Sequence, residues 1–457
     1  MPRPESPIRI ESTARAPADL PGCFQRAWAA LETPRAWRRV VIAVSGGSDS
    51  LALLHLLHET RSAHGMELVV GHVDHGIHPA SAEVARRVIA AANALGIPIV
   101  VGRLGLGAGT SETAARAARH TWLQQVRRSE RADAIVLAHH ADDQVETVLQ
   151  RVLAGSGLAG LAGMRPRHDT LLRPLLEFRK GELVAWLAAK GIASWEDPAN
   201  RDPVHERSWI RGALLPMLSE REPAVPERLR RLARHAAVDR AAWEAALDTL
   251  PGLDPQGSAG RLSVAALPLA AYDSALASTL LRAAARRVGC VLGPRRAERL
   301  LAMVRGGRSG ATLELGGEWR AELSFGRICF HRVAVTPAPI ALRGAQGQRS
   351  WGAWRVSWRR APAPAKLRRD GWVGWFIGEE ATLRAPLPGD RLVPLGGTGR
   401  RAVARLLQEA RIERSRRVGW PILEVEGNIE WVGGICRGAG ALPAGGDNAL
   451  MIEVSSG

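Results

Sequence analysis

Lysine is almost missing from this chain: among 62 basic residues only Lys180, Lys190 and Lys366 are lysines, and none of them follows a glycine. A Walker A loop needs a Gly-Lys-Ser/Thr step to bring a lysine to the terminal phosphates, so a nucleotide bound here is held in another way. Cysteine is scarce as well. Cys23, Cys290, Cys329 and Cys436 lie far apart with no C-x-x-C, which writes neither a local zinc knuckle nor a dithiol pair and fits free thiols in a reducing compartment. No uninterrupted apolar run approaches the length of a membrane span. Glu5, Glu11 and prolines stand where a signal peptide would carry its apolar stretch. The expectation is a cytoplasmic protein with no membrane segment.

What the chain has in abundance is arginine. The 62 basic residues stand against 45 acidic ones, a net charge of +17, and such an excess points to a polyanionic partner more than to any fold. A length of 457 residues suffices for about three domains, each with its own core.

Between residues 39 and 153, short β-rich runs at 40–44, 68–73, 97–101 and 134–138 alternate with amphipathic stretches at 49–60, 82–95 and 111–129. That alternation predicts right-handed crossovers and a parallel sheet covered on both faces. The fold class is therefore α/β, doubly wound, with ligands expected at the carboxyl ends of the strands. The expected organisation is a catalytic domain over 22–218, a mainly helical domain over 219–335 ending in a β meander, a Pro- and Trp-rich linker with short strands over 336–380, and an α+β domain over 381–457.

Ser45, Gly46, Gly47, Ser48, Asp49 and Ser50 follow the apolar run 41–44. Two glycines let backbone approach a ligand closely, and a helix N-terminus presents free N–H groups to a phosphate. The same residues would also serve an ordinary turn capped by Ser48 or Asp49. His72, Asp74 and His75 close the second strand, as a ligand-facing group or a hydrogen-bonded structural cluster. His139, His140, Asp142, Asp143 and Glu146 mark the next strand-to-helix junction. Asp143 and Glu146, three apart, share a helix face, where paired carboxylates can bind a cation, hold magnesium through water or accept a proton. Acidic residues also simply favour helix starts. Glu112, Arg116 and Arg119 form one stripe, either aimed at a phosphate or solvated. From 400 to 417 seven arginines, among them Arg400, Arg401, Arg405 and Arg411, surround the apolar positions Val403, Leu406, Leu407 and Ala410, so one face packs and the basic remainder suits an RNA backbone.

The Ser-Gly-Gly-Ser-Asp-Ser loop after an apolar strand resembles the PP-loop of the ATP pyrophosphatase family. With the glycine-rich run 155–164, Arg173-Pro-Leu-Leu, the 195–202 segment, Arg207-Ser-Trp-Ile-Arg211 and the C-terminal runs 388–391 and 431–434, the chain is similar over nearly its whole length to the tRNA(Ile)-lysidine synthetases. The resemblance implies ligation of lysine to carbon 2 of the wobble cytidine of a tRNA(Ile) with a CAU anticodon, through an adenylated tRNA, with release of AMP and pyrophosphate. ATP and Mg2+ are the implied cofactors: residues 45–50 hold ATP, and Asp49 stands near a magnesium ion that no protein-only ligand set holds. Asp49, Arg119, Asp143 and Glu146 are the implied catalytic residues. His72, Asp74, His75, His139, Asp142 and Arg116 lie near nucleotide or lysine, and Arg207, Arg211, Arg400, Arg401, Arg405 and Arg411 contact tRNA. The partners are tRNA(Ile), L-lysine and, as assembly, a homodimer. The modified base must leave its stack to react, and the plentiful tryptophans are the expected stacking side chains. His120, Ile77-His78 and Ser208 depart from the family pattern. A PP-loop tRNA-thiolating enzyme would share the loop and the charge but calls for catalytic cysteines or a C-x-x-C. A non-catalytic RNA-binding protein would not need intact Ser45, Asp49, Asp143 and Glu146.

Overall fold

The computed structural model describes residues 19–74, 81–105, 110, 112–193, 206–258, 260–366 and 371–456. His75, Ile77, His78 and the 195–202 segment lie outside the described residues. The chain divides into two units, Met1–Arg240 and Ala241–Gly457.

In the first unit the elements run α1 (Leu20–Ala29), β1 (Arg39–Ala43), α2 (Ser48–Glu59), α3 (Arg61–His64), β2 (Glu67–Asp74), α4 (Ser81–Ala94), β3 (Ile99–Arg103), α5 (Glu112–Ser129), β4 (Ala134–Val136), α6 (Ala141–Leu153), α7 (Leu158–Leu161), β5 (Arg167–His168), β6 (Leu171–Leu172) and α8 (Lys180–Ala189). α9 (Glu206–Trp209), a π turn (Ile210–Leu214) and α10 (Leu215–Arg221) follow, and α11 (Val225–Thr249) continues past Arg240 into the second unit. The sheet order is β3-β2-β1-β4-β6-β5, parallel except for β5 against β6. This is the doubly wound α/β fold that the strand–helix alternation predicts.

β1 reads Arg-Val-Val-Ile-Ala because both its faces are covered. Val40 and Ile42 pack into the cluster under α1, α2 and α4, while Val41, one residue out of phase, packs with Val69, Leu123 and Ile135 on the other face. From β1 the chain winds out through β2 to β3, then returns to β4 on the opposite side. The strand order therefore reverses between β1 and β4, and a crevice opens at their carboxyl ends. The π turn has a local cause in Pro216, which has no N–H to give back and whose ring would crowd the preceding turn of a regular helix.

In the second unit β7 (Gln256–Ser258), β8 (Arg261–Ala265), α12 (Ala266–Ala271), α13 (Ser274–Arg287), α14 (Pro294–Gly306), β9 (Ala311–Gly316), β10 (Trp319–Ser324) and β11 (Arg327–Arg332) form an antiparallel sheet of order β7-β8-β11-β10-β9 with its helices. The expected meander is there as β9, β10 and β11. β7 and β8 add to it a strand pair that the alanine-, leucine- and arginine-rich composition conceals.

The remaining elements are β12 (Ile340–Ala341), β13 (Gln346–Trp351), β14 (Trp354–Pro362), β15 (Val373–Phe376), β16 (Ala381–Arg384), β17 (Arg391–Leu392), β18 (Arg401–Ala402), α15 (Val403–Glu409), α16 (Arg414–Arg417), β19 (Ile422–Val425), β20 (Asn428–Val432), β21 (Cys436–Arg437) and β22 (Asn448–Ser456). They build two more sheets, β12-β16-β19-β20-β21 and β13-β14-β22-β15. β14 pairs with β22 from Trp354 opposite Ser456 to Pro362 opposite Asn448, so the Pro- and Trp-rich stretch read as a linker supplies an inner strand. Its Trp351, Trp354 and Trp358 are buried, as are Trp420 and Trp431 further along, while Trp372 and Trp375 are half-buried; the Trp354, Trp372 and Trp420 rings meet at 5.0–5.7 Å.

Candidate functional site

The loop after β1 is shaped from within. Gly46 has φ +93°, and a Cβ there would lie 2.6 Å from Val84 Cγ1, so only glycine fits. The Ser50 hydroxyl accepts from the N–H groups of Ser45 at 3.1 Å and Gly46 at 3.2 Å and donates to Gly47 O at 2.9 Å. Ser50 is thus committed to holding the loop's curve. α2 starts at Ser48 with Gly47 at its N-cap and no side chain capping it, which leaves its first N–H groups to an anion. The Ser48 hydroxyl donates to Asp49 Oδ1 at 3.3 Å. One layer below, His72 is buried and its Nδ1 donates to Val44 O at 2.8 Å, tying β2 to the base of the loop. Buried Asp74 meets Arg103 at 3.3 Å.

Across the crevice, α6 begins with a side-chain cap from Asp143. Asp143 Oδ2 accepts the His140 N–H at 3.0 Å, and the His140 ring faces the N–H groups of Asp142 and Asp143. His140 Nε2 lies 3.5 Å from Asp49 Oδ2, so this ring joins the two loops of the crevice. Its Nδ1 is 3.2 Å from the Asp142 N–H and 3.4 Å from the Asp142 carboxylate; a bare nitrogen suits the first contact, a protonated one the second. Three carboxylates decide for the imidazolium. Burial opposes its charge, but hydrogen bonds to Asp142 and Asp49 and the charge of Asp143 raise the ring to about 10.

Asp142, whose burial alone would raise it, is held down at about 2 by His140 and by the Lys180 N–H. Burial likewise works to raise Asp49, and His140 overcomes it, keeping that carboxyl below its ordinary value. His139, one residue earlier, goes the opposite way. Burial, then the charges of Arg173, Arg116, Arg207 and Arg119, press it down to about 3, and Arg173 Nε donates to its Nδ1 at 3.3 Å. Arg116 and Arg119 are exposed on α5, and their fields reach the same corner.

Asp143 and Glu146 share a face, as their spacing predicts, and both are buried. Their partners are the arginines read as RNA contacts. Arg207 bonds Asp143 at 2.6 Å and Glu146 at 2.7 Å, and Arg211 bonds Glu146 at 2.5 Å. Four residues apart across the π turn, the two guanidiniums point inward together. Burial works against the charge of Arg211, and Glu146 more than offsets it, raising Arg211 above its ordinary value. A cleft of about 400 Å³ opens beside this cluster, lined by Asp142, Glu146, Lys180 and Arg211 and by the apolar Val145 and Leu215.

Sequence reasoning did not single out Lys180 or Arg173. Lys180 carried no signal of its own; Arg173 stood in a quoted motif without a role. Arg400, Arg401, Arg405 and Arg411 belong to the second unit, where Arg401 and Arg405 pair with Glu409 at 2.5 and 3.1 Å and Arg400 and Arg411 are exposed. The four cysteines are free. Burial pushes Cys290 up to about 11 and Cys329 up to about 12, the reverse of an activated thiol. Among the described residues no cluster of His, Cys, Asp and Glu could hold a metal by itself, and no helix is long and apolar enough to cross a membrane.

A PP-loop domain model matches residues 22–218 and a TilS substrate C-terminal domain model matches residues 381–454. A tRNA(Ile)-lysidine synthase of Azoarcus sp. (strain BH72) is 33% identical over 408 residues, 87% of this chain and 87% of that one. This chain belongs to the tRNA(Ile)-lysidine synthase family. A member from Solibacter usitatus (strain Ellin6076) is 30% identical over 448 residues, 91% of this chain and 97% of its own. Another, from Leifsonia xyli subsp. xyli (strain CTCB07), is 40% identical over 247 residues, 53% of this chain and 74% of that one. The β1 loop and the α6 corner both lie within the residues that the PP-loop domain model matches.

Proposed function

We propose that this protein ligates lysine to carbon 2 of the wobble cytidine of a tRNA(Ile) bearing a CAU anticodon, consuming ATP and releasing pyrophosphate and AMP. The observation that carries the reading is the meeting, at the point where the sheet reverses, of the PP-loop with the carboxylate–arginine corner through the Asp49–His140 contact of 3.5 Å. Ser45, Gly46, Gly47 and Ser48 form the phosphate cradle, and Ser50 sets its curvature. Asp49 is the residue that would hold magnesium with ATP, one carboxylate beside the nucleotide's own phosphates being enough for this hard cation. The ion would offset charge on the departing pyrophosphate. Imidazolium His140, Arg116 and Arg119 supply further positive charge there. The cytidine oxygen takes the adenylyl group as pyrophosphate leaves; lysine's amine then attacks carbon 2 and AMP leaves.

Lysine's ammonium, with a free pKa near about 10.4, must bind and then lose a proton. A bare carboxylate pair would favour binding and oppose deprotonation. Asp143 and Glu146 are instead shared with two guanidiniums, so an arriving ammonium makes the cluster net positive. That favours the neutral, attacking amine. The cleft beside α6 offers apolar walls for the substrate's methylenes, with Lys180 near its carboxylate. We further propose a cytoplasmic location, and a homodimer as the assembly, which sedimentation of the purified protein tests.

The decisive experiment incubates the protein with tRNA(Ile) carrying a CAU anticodon, ATP, Mg2+ and labelled lysine. Label enters RNA with release of pyrophosphate. Sulfur transfer, or ATP cleavage without label in RNA, would overturn the reading.

A further inference from the structure

Five phenylalanines occur in the chain. Phe24, Phe178, Phe330 and Phe376 are at most 1% exposed, whereas Phe325 is 37% exposed. It occupies the β10–β11 turn with φ +51°, followed by Gly326 at φ +77°, a two-residue hairpin turn that favours Asn-Gly or Gly-Gly. A bulky side chain in that left-handed conformation is strained and easily replaced by something better suited. Strain of this kind at an exposed aromatic ring points to a use for the ring.

Phe325 lines a groove of about 690 Å³ together with Arg405, Gln408, Glu409, Arg411 and Arg417. Arg411 also stands in the left-handed region, at φ +55°, where α15 ends. One wall of the groove is the β10–β11 turn and the other is α15 with the segment that follows it to α16, and the two are fastened together. Glu322, 1% exposed in β10, accepts the N–H groups of Arg414 and Ser415 at 2.8 and 2.9 Å. Arg261 of β8 bonds Glu413 and reaches the Ser415 hydroxyl at 3.3 Å. The segment carrying Arg411 and Arg417 is therefore held at a fixed distance from Phe325.

We propose that this groove seats one unpaired nucleotide of the RNA substrate, its base lying on the Phe325 ring and its phosphates facing Arg405, Arg411 and Arg417. The site rests on the RNA-modifying reading above and deepens it. Three guanidiniums against the single carboxylate of Glu409 fit a polyanion. A lone ring face beside them fits a base, which stacks on aromatic side chains once it is free of its own helix. Trp351, Trp354, Trp358, Trp420 and Trp431 of the terminal sheets are buried in the core and are not open to a base.

The test is binding of labelled tRNA to the full chain by anisotropy. Phe325→Gly weakens binding by about 5- to 150-fold, the range for one stacked base, without lowering Tm, since glycine relieves the turn. Phe325→Trp retains the affinity. A single-stranded RNA oligonucleotide competes with tRNA for the wild type, and a blunt duplex of the same sequence does not. Unchanged binding by Phe325→Gly, or equal competition by duplex or by polyglutamate, overturns the proposal. Lysine incorporation at saturating tRNA reports on the catalytic reading separately. If wild-type protein makes no lysidine yet loses affinity on Phe325→Gly, the groove stands and the reaction assignment falls; if lysidine forms and Phe325→Gly binds normally, the reverse holds.

Discussion

Two arginine-rich corners of this molecule look alike in sequence and differ in physics. At α6, Arg207 and Arg211 close on Asp143 and Glu146, and Glu146 is 1% exposed. At α15, Arg401 and Arg405 close on Glu409, whose side chain is 47% exposed against 75% for Arg405. Burial separates them. In the first corner the two carboxylates are taken out of water and depend on their guanidiniums; in the second the carboxylate keeps its hydration and the pair remains open to a partner. The first should answer to pH and to loss of a single partner, the second to salt.

The largest expected effect breaks the buried corner. Glu146→Ala leaves two guanidiniums facing one carboxylate, and removing one partner of a buried pair costs about 3–5 kcal/mol. Urea unfolding should show that loss for the first unit, together with loss of lysine incorporation. A shift no larger than that of Glu409→Ala would erase the distinction between the corners.

The adjacent histidines sharpen it next. His140, raised to about 10 from an unfolded value near 6.5, contributes stability that is complete below pH 6.5 and fades as pH rises to 10. His139, lowered to about 3, stays neutral where the unfolded chain takes up a proton, so stability falls as pH drops from 6.5 towards 3. Each slope has a ceiling of about 1.4 kcal/mol per pH unit. The pair places a stability maximum near pH 6.5, read from unfolding midpoints across pH. His140→Asn should flatten the alkaline limb and His139→Asn the acidic one between pH 6.5 and about 4, above the range in which Asp142 and Asp49, held down by His140, take up protons; a single variant flattening both limbs above about pH 4 would contradict opposite charge states.

What the sequence let one read divides along the same line. β1, the loop after it and the Asp143–Glu146 face were legible because a continuous apolar run, two glycines and an i, i+3 spacing each act locally. Arg207 and Arg211 were read as RNA contacts, and their pairing with Asp143 and Glu146 went unseen, because arginine on a helix reads the same whether it meets solvent or a buried carboxylate; only the chain fold brings residue 207 to residue 143. β8 was hidden, since Leu262 and Val264 become a strand by pairing with Phe330 and Ile328. The tryptophans were read as stacking platforms because periodicity over the short β13 and β14 does not reveal which face is covered. Ser50 looked like one more phosphate donor, although its hydroxyl is spent on the loop's own backbone.

Between the two corners in expected size stands Glu322, buried like Glu146 yet satisfied by backbone N–H groups. Glu322→Ala strands those donors, at about 1–3 kcal/mol, and should loosen the Arg411–Arg417 segment. Weaker tRNA binding with normal lysine incorporation at saturating tRNA is the expected outcome; full affinity would mean that the fastening does not position the groove.

The smallest stability effect belongs to the exposed corner. Arg405→Ala should change the unfolding free energy by no more than about 1 kcal/mol, because its pair with Glu409 is solvated and screened. Its consequence lies in the salt dependence of tRNA binding. Each phosphate contact contributes roughly 0.7 to 0.9 to the slope of log K against log salt, so losing Arg405 should reduce the slope by about one contact's worth. Arg207→Ala, facing inward, should leave that slope alone while abolishing turnover. Equal slopes for wild type and Arg405→Ala would mean that exposure at this corner marks solvent, with no RNA against it.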